Sequence, residues 1–342
     1  MTSPLLQVRD LTTHFAFASA TVRAVDGVSF DLQAGRTLGV VGESGSGKSV
    51  LARSIIGLLP QSRSLRTGGE VVFDGRDLRA LPERAMRRVR GREIAMIFQD
   101  PLTSLNPVLT VGRQIVQVLR QHTDLSLSAA KARAVELLAE VGIPDPARRV
   151  DEYAHRMSGG MRQRVVIAIA LACEPRLLIA DEPTTALDVT VQAQILDLLR
   201  RLQDERNMAM IMITHDLGVV AETCDEVAVM YAGQVVEKAP VETVLDAPRM
   251  RYTEALLQAI PRLEGPSHQR LPVIPGAPPN LMRPPSGCRF APRCAHRLKR
   301  CEAEAPPETP VGPDHLYACW NPVQPARPSL AAVPETFAHD RS

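Results

Sequence analysis

A glycine-rich octapeptide, GESGSGKS at residues 42–49, constrains the fold of this chain more than any other stretch. It fits the pattern GxxxxGK(S/T), follows the apolar run TLGVV and precedes a helical pattern, which is the context that this phosphate-binding motif requires. Backbone N–H groups over residues 44–49 would hold phosphates at the positive end of the helix. Lys48 would reach the β- and γ-phosphates, and Ser49 would bind Mg²⁺. A dinucleotide-binding turn needs GxGxxG, which the glycines at 42, 45 and 47 do not fit.

Two carboxylates follow a second buried run, LLIADEP. Asp181, at the carboxyl end of the predicted strand, would hold Mg²⁺ directly or through water. Glu182 lies one residue further, points elsewhere and suits a general base for an attacking water. An acidic pair after a strand can also be a helix cap, but the phosphate loop in the same chain favours the metal and base roles.

A second anion-binding pattern occurs more than a hundred residues later. Ser158, followed by Gly159 and Gly160, stands where another helical pattern begins. A serine cap with open backbone N–H groups at a helix start makes an anion site. One nucleotide needs only one phosphate loop, so this second site requires its own explanation.

The apolar periodicity predicts a doubly wound α/β core interrupted by a helical insertion. The predicted elements are strands within residues 5–41, a helix over 49–60 that ends at Pro60, a strand pair over 68–78, a mainly helical stretch over 108–142, and buried parallel strands within 176–183 and 208–216 joined by an amphipathic helix.

Composition restricts the class of protein. The net charge is +2 and aromatic residues make up 4% of the chain, which argues against nucleic acid as a partner. The first residues lack the basic-then-apolar layout of a secretory signal, and no apolar run approaches the roughly 18 residues that span a bilayer. We therefore expect a cytosolic protein whose cysteines are reduced.

Four further motifs accompany the phosphate loop: IFQD at 97–100, MSGGM at 157–161, TALD at 185–188 and ITHD at 213–216. With the Asp–Glu pair, they resemble the Q-loop, LSGGQ signature, D-loop and switch histidine of ABC transporter ATP-binding subunits, in that order and at similar spacing. The resemblance covers about residues 5–260. Met157 and Met161 depart from the signature's Leu and Gln but leave its Ser-Gly-Gly backbone intact.

The resemblance implies a fold and a domain organisation. The expected fold is α/β, a P-loop NTPase (RecA-like) core with an N-terminal antiparallel β-subdomain and an inserted α-helical subdomain, plus a Pro/Cys-rich C-terminal tail. The expected domains are a nucleotide-binding domain over 1–260, with its helical subdomain at about 100–175, a C-terminal Cys-rich domain over 261–330, and a disordered tail over 331–342.

The resemblance also explains the second anion site, because in this family two ATP-binding domains meet head to tail. Each ATP lies between the phosphate loop of one chain and the signature helix of the other. Gln99 and His215 would act beside Glu182, with Gln99 contacting Mg²⁺ and His215 the γ-phosphate. Asp188 would couple the two sites, and Phe15 would stack on adenine. The implied nucleotide contacts are Phe15, Gly42, Ser44, Gly45, Ser46, Gly47, Lys48, Ser49, Val50, Ser158, Gly159, Gly160 and Asp188, and the implied Mg²⁺ contacts are Ser49, Gln99 and Asp181.

Longer stretches resemble one subfamily, the D-type ATPase subunits of bacterial dipeptide and oligopeptide importers. They include IADEPTTALDVTVQAQI and the tail segment GCRFAPRCAHRLKRC. The resemblance implies peptide import, a related second ATP-binding subunit, two transmembrane permease subunits, an extracytoplasmic substrate-binding protein, and a peripheral position on the cytoplasmic face of the cell inner membrane. Nickel, glutathione and other small-solute importers use a similar ATPase and remain alternatives.

The C-terminal segment from residue 261 holds more than half of the 28 prolines and four of the six cysteines, and predicts a separate tail with little regular structure. Cys288, Cys294, Cys301 and Cys319 could together enclose a metal that orders this segment. Some members of the importer group carry a 4Fe–4S cluster on a similar tail. The spacing is not a pair of CxxC motifs, which favours iron–sulfur over Zn²⁺, and unligated cysteines are the third alternative.

Two other function classes compete with an importer ATPase. A soluble ABC-type ATPase acting on nucleic acid or ribosomes is disfavoured by the near-neutral charge, by the single nucleotide unit and by the lack of a long coiled-coil insertion. A non-catalytic regulatory subunit is disfavoured because Gln99, Glu182 and His215 are all present.

Overall fold

The computed structural model describes residues 3–60, 62–185, 187–260 and 273–324. The predicted disordered tail, residues 331–342, lies outside the described residues. In the part of the chain that the structure describes, no helix is both long and apolar enough to cross a membrane.

Strands and helices alternate along most of the chain. The strands are β1 Leu6–Ala16, β2 Thr21–Leu32, β3 Thr37–Val41, β4 Leu65–Phe73, β5 Arg76–Asp77, β6 Ile94–Ile97, β7 Leu177–Asp181, β8 Ala209–Thr214, β9 Glu226–Tyr231, β10 Gln234–Pro240, β11 Thr309–Pro310 and β12 Leu316–Tyr317. The helices are α1 Lys48–Ile55, α2 Glu83–Val89, α3 Pro101–Ser104, α4 Val111–His122, α5 Leu127–Glu140, α6 Pro146–Arg149, α7 Gly159–Leu171, α8 Val189–Arg206, α9 Leu217–Thr223, α10 Val241–Asp246, α11 Arg251–Gln258 and α12 Lys299–Ala303.

The larger sheet has the order β11-β12-β10-β9-β3-β8-β7-β6 among the described strands. Strands β6, β7, β8, β3 and β9 run parallel, and every residue of β3, β7 and β8 is buried, which explains their continuous apolar sequences. Because the strands are parallel, the segments that follow β3, β7 and β8 meet at one edge of the sheet. This edge receives the phosphate loop, the Asp–Glu pair and the ITHD histidine, as open α/β sheets require for a ligand site.

The N-terminal strands form a second, antiparallel sheet of order β2-β1-β4-β5 in the described chain. Its inner face packs with α1 and the larger sheet in one apolar cluster that includes Leu6, Phe73, Leu51 and Ile179. The predicted antiparallel β-subdomain, including the β4–β5 pair, is confirmed. It covers one face of the larger sheet and so fixes α1 beneath the phosphate loop.

The helical insertion lies between β6 and β7. Its helices α4, α5 and α7 bury Ile115, Leu137 and Ile167 in a cluster shared with α8 and with Leu178 on the sheet. The predicted helical subdomain is therefore present, and the signature serine lies at the start of α7 within it.

Helix α1 ends at Ile55, earlier than the predicted end at Pro60. Gly57 adopts φ +61°, and the Leu58 N–H donates to the Arg53 carbonyl at 2.8 Å. This six-to-one bond with a left-handed glycine is a Schellman ending. The proline was therefore a weaker stop signal than the glycine before it.

The described part of the C-terminal segment attaches to the core instead of standing apart. Strand β12 pairs with β10 and extends the larger sheet, and Phe290 packs against Tyr231 and Tyr252 with both ring centroids at 5.3 Å. Its described elements are short, and the division into a nucleotide-binding domain and a C-terminal domain stays a prediction. Aromatic burial holds this segment against the sheet.

Candidate active site

The phosphate loop joins the buried strand β3 to α1. Gly47 has φ +104°, and a Cβ atom there would lie 2.1 Å from the Ala24 carbonyl oxygen, so only glycine fits. Lys48 Nζ donates to the carbonyl oxygens of Gly42 at 2.7 Å and Glu43 at 3.1 Å. Burial lowers the pKa of Lys48, and nearby carboxylates oppose that shift. The loop is therefore preformed around an amine that can exchange carbonyl partners for phosphate oxygens.

The rest of the loop is fixed through its backbone. The Ser46 carbonyl accepts a 2.8 Å bond from the Gly233 N–H, and the Ser46 N–H donates to the Glu43 carbonyl at 3.2 Å. Ser44, Gly45 and Val50 lie at the loop or in the first turn of α1 and are partly or fully exposed. The phosphate contacts of these three residues stay predictions from the motif.

A hydroxyl–carboxylate pair lies beside the loop. Ser49 Oγ donates to Asp181 Oδ1 at 3.0 Å, and Asp181 ends β7 with 1% of its surface exposed. Burial raises the pKa of Asp181, and the Ser49 hydrogen bond opposes this shift. Mg²⁺ in nucleotide sites is commonly held by one or two protein oxygens together with phosphate oxygens. The donor chemistry of this pair therefore fits a Mg²⁺ ion that arrives with a nucleotide.

The other two predicted catalytic residues, Gln99 and His215, meet at Glu182. Gln99 Nε2 donates to Glu182 Oε2 at 2.9 Å, and His215 Nδ1 lies 3.4 Å from Glu182 Oε1. Thr185 Oγ also donates to Oε2 at 2.9 Å. The structure thus brings together side chains from β6–α3, β7–α8 and β8–α9, which sequence spacing alone could only place at one sheet edge.

The backbone and charge of Glu182 suit a reactive carboxylate. Its φ of +49° is unusual for a residue other than glycine, and such strain concentrates at functional sites. Burial alone would raise the pKa of Glu182, but the Thr185 hydroxyl and His215 outweigh it, so the pKa lies below its ordinary value. The side chain is therefore an ionised hydrogen-bond acceptor at neutral pH.

The signature serine caps a long helix. Ser158 Oγ accepts a 3.3 Å bond from the Met161 N–H at the start of the 13-residue helix α7. Ser158 and Gly159 are exposed, whereas a Cβ atom at Gly160 would approach Val191 Cγ1 to 2.7 Å. The positive end of α7 is consequently open to an anion from outside, with its inner side closed by α8.

Two predicted contacts have other structural partners here. Asp188 is exposed and caps α8 by accepting a 2.9 Å bond from the Val191 N–H. Phe15 lies on β1 opposite Val22 and is half-buried, whereas Phe17 is 57% exposed. The coupling role of Asp188 and the adenine contact of Phe15 stay predictions.

Sequence reasoning missed several residues at the edge of the site. Arg293 in the C-terminal segment forms a two-pronged ion pair with Glu43 of the phosphate loop, and Tyr252 accepts a hydrogen bond from the Glu43 N–H. Thr185 was missed as well. The TTALD context could have indicated Thr185, but no local pattern links residues 43 and 293.

The four tail cysteines lie in one apolar cluster with Phe290. Cys288 and Cys301 are buried members, Cys294 and Cys319 pack against them, and the Cys288 N–H donates to the Cys301 carbonyl at 2.8 Å. Among the described residues, no group of three or more His, Cys, Asp or Glu side chains is arranged to hold a metal ion. The described residues therefore do not show the predicted ligand geometry of a 4Fe–4S cluster. Burial raises the pKa of Cys294 and Cys319, and that of Cys288 to about 11, which disfavours the thiolate while no metal is bound.

Comparison with known proteins agrees with this site. The profile of the ABC transporter family matches residues 25–185, and that of the oligopeptide/dipeptide transporter C-terminal region matches residues 236–301. The probable peptide ABC transporter ATP-binding protein y4tR of Sinorhizobium fredii is 54% identical over 92% of this chain and 94% of its own length. The oligopeptide transport ATP-binding protein OppD of Bacillus subtilis is 52% identical over 92% of this chain and 88% of its own.

Solved structures show the same fold. The dimeric ATP-binding cassette MJ0796, in a post-hydrolysis state bound to ADP and Pi, matches with a TM-score of 0.62 at 26% identity, over 69% of this chain and 98% of that one. The fold and the site together define an ATP-hydrolysing P-loop protein. The chain belongs to the ABC transporter family, among the ATP-binding subunits of the oligopeptide/dipeptide type.

Proposed function

We propose that this chain hydrolyses ATP to power the import of di- or oligopeptides through separate membrane subunits. The observation that carries the catalytic part is the carboxylate of Glu182, held by Gln99 and Thr185 next to the Ser49–Asp181 pair. The names of the relatives and the match over residues 236–301 support the peptide part. The alternative is that the chain is the ATP-binding subunit of a closely related importer for nickel, glutathione or another small solute.

In the proposed mechanism, the loop N–H groups and Lys48 would bind the β- and γ-phosphates, and Ser49 and Asp181 would hold the Mg²⁺ that accompanies ATP, which would neutralise phosphate charge. Glu182 accepts the proton of the attacking water. Gln99 orients that water, and His215 bonds to the γ-phosphate. Positioning and charge neutralisation supply most of the rate enhancement in phosphoryl transfer to water.

The open N-terminus of α7 has its proposed role in a second subunit's site. Ser158 and Gly160 would contact the γ-phosphate of ATP held by the phosphate loop of a related, head-to-tail subunit. Association of the two subunits then depends on a phosphate that hydrolysis removes, so cleavage loosens the pair. Asp188, which caps the adjacent helix α8, would couple the two sites.

The remaining partners follow from the proposed importer. They are two transmembrane permease subunits and an extracytoplasmic substrate-binding protein, with the ATPase bound peripherally at the cytoplasmic face of the inner membrane. Nucleic acid is not among them. Purification of the tagged chain from membranes, followed by identification of the co-purifying subunits, tests this composition directly.

Transport by the assembled complex tests the substrate. The complex is reconstituted in vesicles with ATP inside or outside, and uptake of a dipeptide, an oligopeptide, Ni²⁺ and glutathione is compared. ATP-dependent peptide uptake is the expected result. Uptake of only Ni²⁺ or glutathione would replace the peptide assignment. ATP hydrolysis without uptake of any of the four solutes would refute the proposed substrates and support only the ATPase activity.

For the tail, we propose that the four cysteines bind a 4Fe–4S cluster as thiolates. The support is that backbone N–H groups act on the sulfur atoms: the Leu298 N–H donates to Cys301 Sγ at 3.4 Å, and the backbone at Phe290 and His296 lowers the pKa of Cys288 and Cys294. Such bonds favour the thiolate and oppose the effect of burial. An anaerobic preparation should contain iron and sulfide and absorb near 400 nm. Stoichiometric zinc, or a colourless metal-free protein, would contradict the cluster.

A further inference from the structure

The C-terminal segment reaches the phosphate loop through one arginine. Arg293 Nη1 lies 2.5 Å from Glu43 Oε2, and Arg293 Nη2 donates to Glu43 Oε1 at 2.9 Å. This two-pronged geometry is the strongest form of a guanidinium–carboxylate pair. Glu43 is the second residue of the phosphate motif, so a residue far along the chain holds a side chain of the loop itself.

Arg293 is itself rigidly placed. Its side chain is 4% exposed, Nε donates to the Pro275 carbonyl at 2.9 Å, and the guanidinium lies 5.9 Å from the centre of the Tyr231 ring. The hydrogen bond to Glu43 raises the pKa of Arg293, so the group is always charged. Surface ion pairs gain little because their side chains are free to move, but Arg293 is buried and held by several bonds, so its guanidinium is fixed toward the half-buried Glu43.

The backbone of Glu43 is held at the same time. Its N–H donates to the Tyr252 hydroxyl at 3.0 Å, and its carbonyl accepts from Lys48 Nζ at 3.1 Å. When Lys48 turns toward a phosphate, the carbonyl loses that contact. The Arg293 pair, the Tyr252 bond and the 3.2 Å bond from the Ser46 N–H to the Glu43 carbonyl then remain as the restraints on this residue.

The negative charge of Glu43 makes the ion pair important for nucleotide binding. A carboxylate within the phosphate loop repels the triphosphate unless a cation neutralises it. We infer that Arg293 is a positioning residue for ATP binding: it neutralises Glu43 and holds the loop in its phosphate-binding shape, so the C-terminal segment completes the nucleotide site. Arg293 acts only through Glu43. The inference rests on the ATP-binding part of the proposed function and is independent of the transported solute.

The alternative is that Arg293 merely fastens the tail to the core. Arg289 offers a matched control, because it is also a buried arginine of the same segment and pairs with Asp26 and the Ala232 carbonyl. It does not bond to the phosphate loop. A purely fastening role predicts similar effects of Arg289 and Arg293 variants on nucleotide binding.

The test uses the full-length chain, with Mg-ATP affinity measured by titration calorimetry and KM and kcat measured by steady-state phosphate release. R293Q should weaken ATP binding and raise KM about tenfold, the scale of one unpaired charge near a polyanion, with kcat within twofold. R289Q should leave both constants within twofold. In the R293Q background, E43Q should restore KM to within threefold of the original, because the unpaired charge is gone.

Three results would overturn the inference: an unchanged KM in R293Q, equal losses in R289Q and R293Q, or failure of E43Q to restore binding. If R293Q does not fold, the KM of R293K is measured instead. A lysine keeps the charge but loses the fork, so KM should rise two- to fourfold, and an unchanged KM contradicts the positioning role. Direct ATP binding is measured apart from hydrolysis, so an inactive parent chain refutes the proposed function without affecting this test.

Discussion

The substitution Glu182→Gln separates the chemistry of the proposed base from its structural role. Both strong donors, Gln99 Nε2 and Thr185 Oγ, bond to the same carboxylate oxygen, Oε2, at 2.9 Å. A glutamine oxygen in that place can accept both bonds, and its amide group then faces His215 at the position of Oε1. The variant therefore keeps the shape of the site and both bonds at Oε2, and it loses the proton acceptor and the negative charge that faces His215.

The expected magnitude follows from that geometry. Because Gln99 and Thr185 keep their acceptor and the His215 side chain is 63% exposed and can bond to water, the free energy of unfolding should change by less than about 1 kcal/mol. Loss of a general base lowers the rate by about 10²–10⁴-fold, or about 2.7–5.4 kcal/mol of transition-state stabilisation. ATP affinity should be unchanged, because Lys48, Ser49 and the loop N–H groups are untouched. Bound ATP that is not cleaved should hold the subunit pair closed.

The assay combines single-turnover hydrolysis, ATP titration and size-exclusion chromatography with Mg-ATP. Glu222→Gln serves as the control, because Glu222 is an exposed carboxylate on α9 that makes none of the site contacts described above. A variant that still hydrolyses ATP within tenfold of the parent would refute the role of Glu182 as base. A variant that fails to bind ATP would instead show that the carboxylate holds the loop.

Three further perturbations test other parts of the structure. Thr185→Val removes a hydroxyl that lowers the pKa of Glu182, so this pKa should rise. The acid limb of the pH–rate profile should then move to higher pH. An unmoved limb would contradict an effect of Thr185 on the ionisation of Glu182. Gly47→Ala should abolish ATP binding, because its Cβ would lie 2.1 Å from the Ala24 carbonyl, and near-normal titration calorimetry would show that the loop can move aside. His315→Ala should reduce the free energy of unfolding by about 1–3 kcal/mol, because His315 Nε2 bonds to the fully buried Glu237 at 2.8 Å. Urea denaturation measures the change. A reduction below about 0.5 kcal/mol would show that this bond does not stabilise the fold.

Much of the site could be predicted because its signals are local. The phosphate motif, the Asp–Glu pair and the histidine each follow a strand whose apolar run is visible in the sequence, and parallel strands bring their carboxyl ends to one edge. The capping serine of α7 is likewise a property of its own helix start. Element type was correct wherever the apolar period was strong, and the early end of α1 was missed because a glycine conformation, rather than Pro60, set it.

The rest could not be predicted because it depends on contacts between distant residues with no periodic pattern. The tail contains little apolar periodicity, yet Phe290 packs against Tyr231 and Tyr252, and Arg293, three residues later, pairs with Glu43 of the phosphate loop. A buried arginine requires a carboxylate partner, and a carboxylate beside a phosphate site requires a cation, so each residue supplies what the other lacks. Through this ion pair, the C-terminal segment contributes to the nucleotide site. A change that displaces Phe290 should therefore leave the Glu43 charge unpaired near ATP, even though the loop sequence is intact.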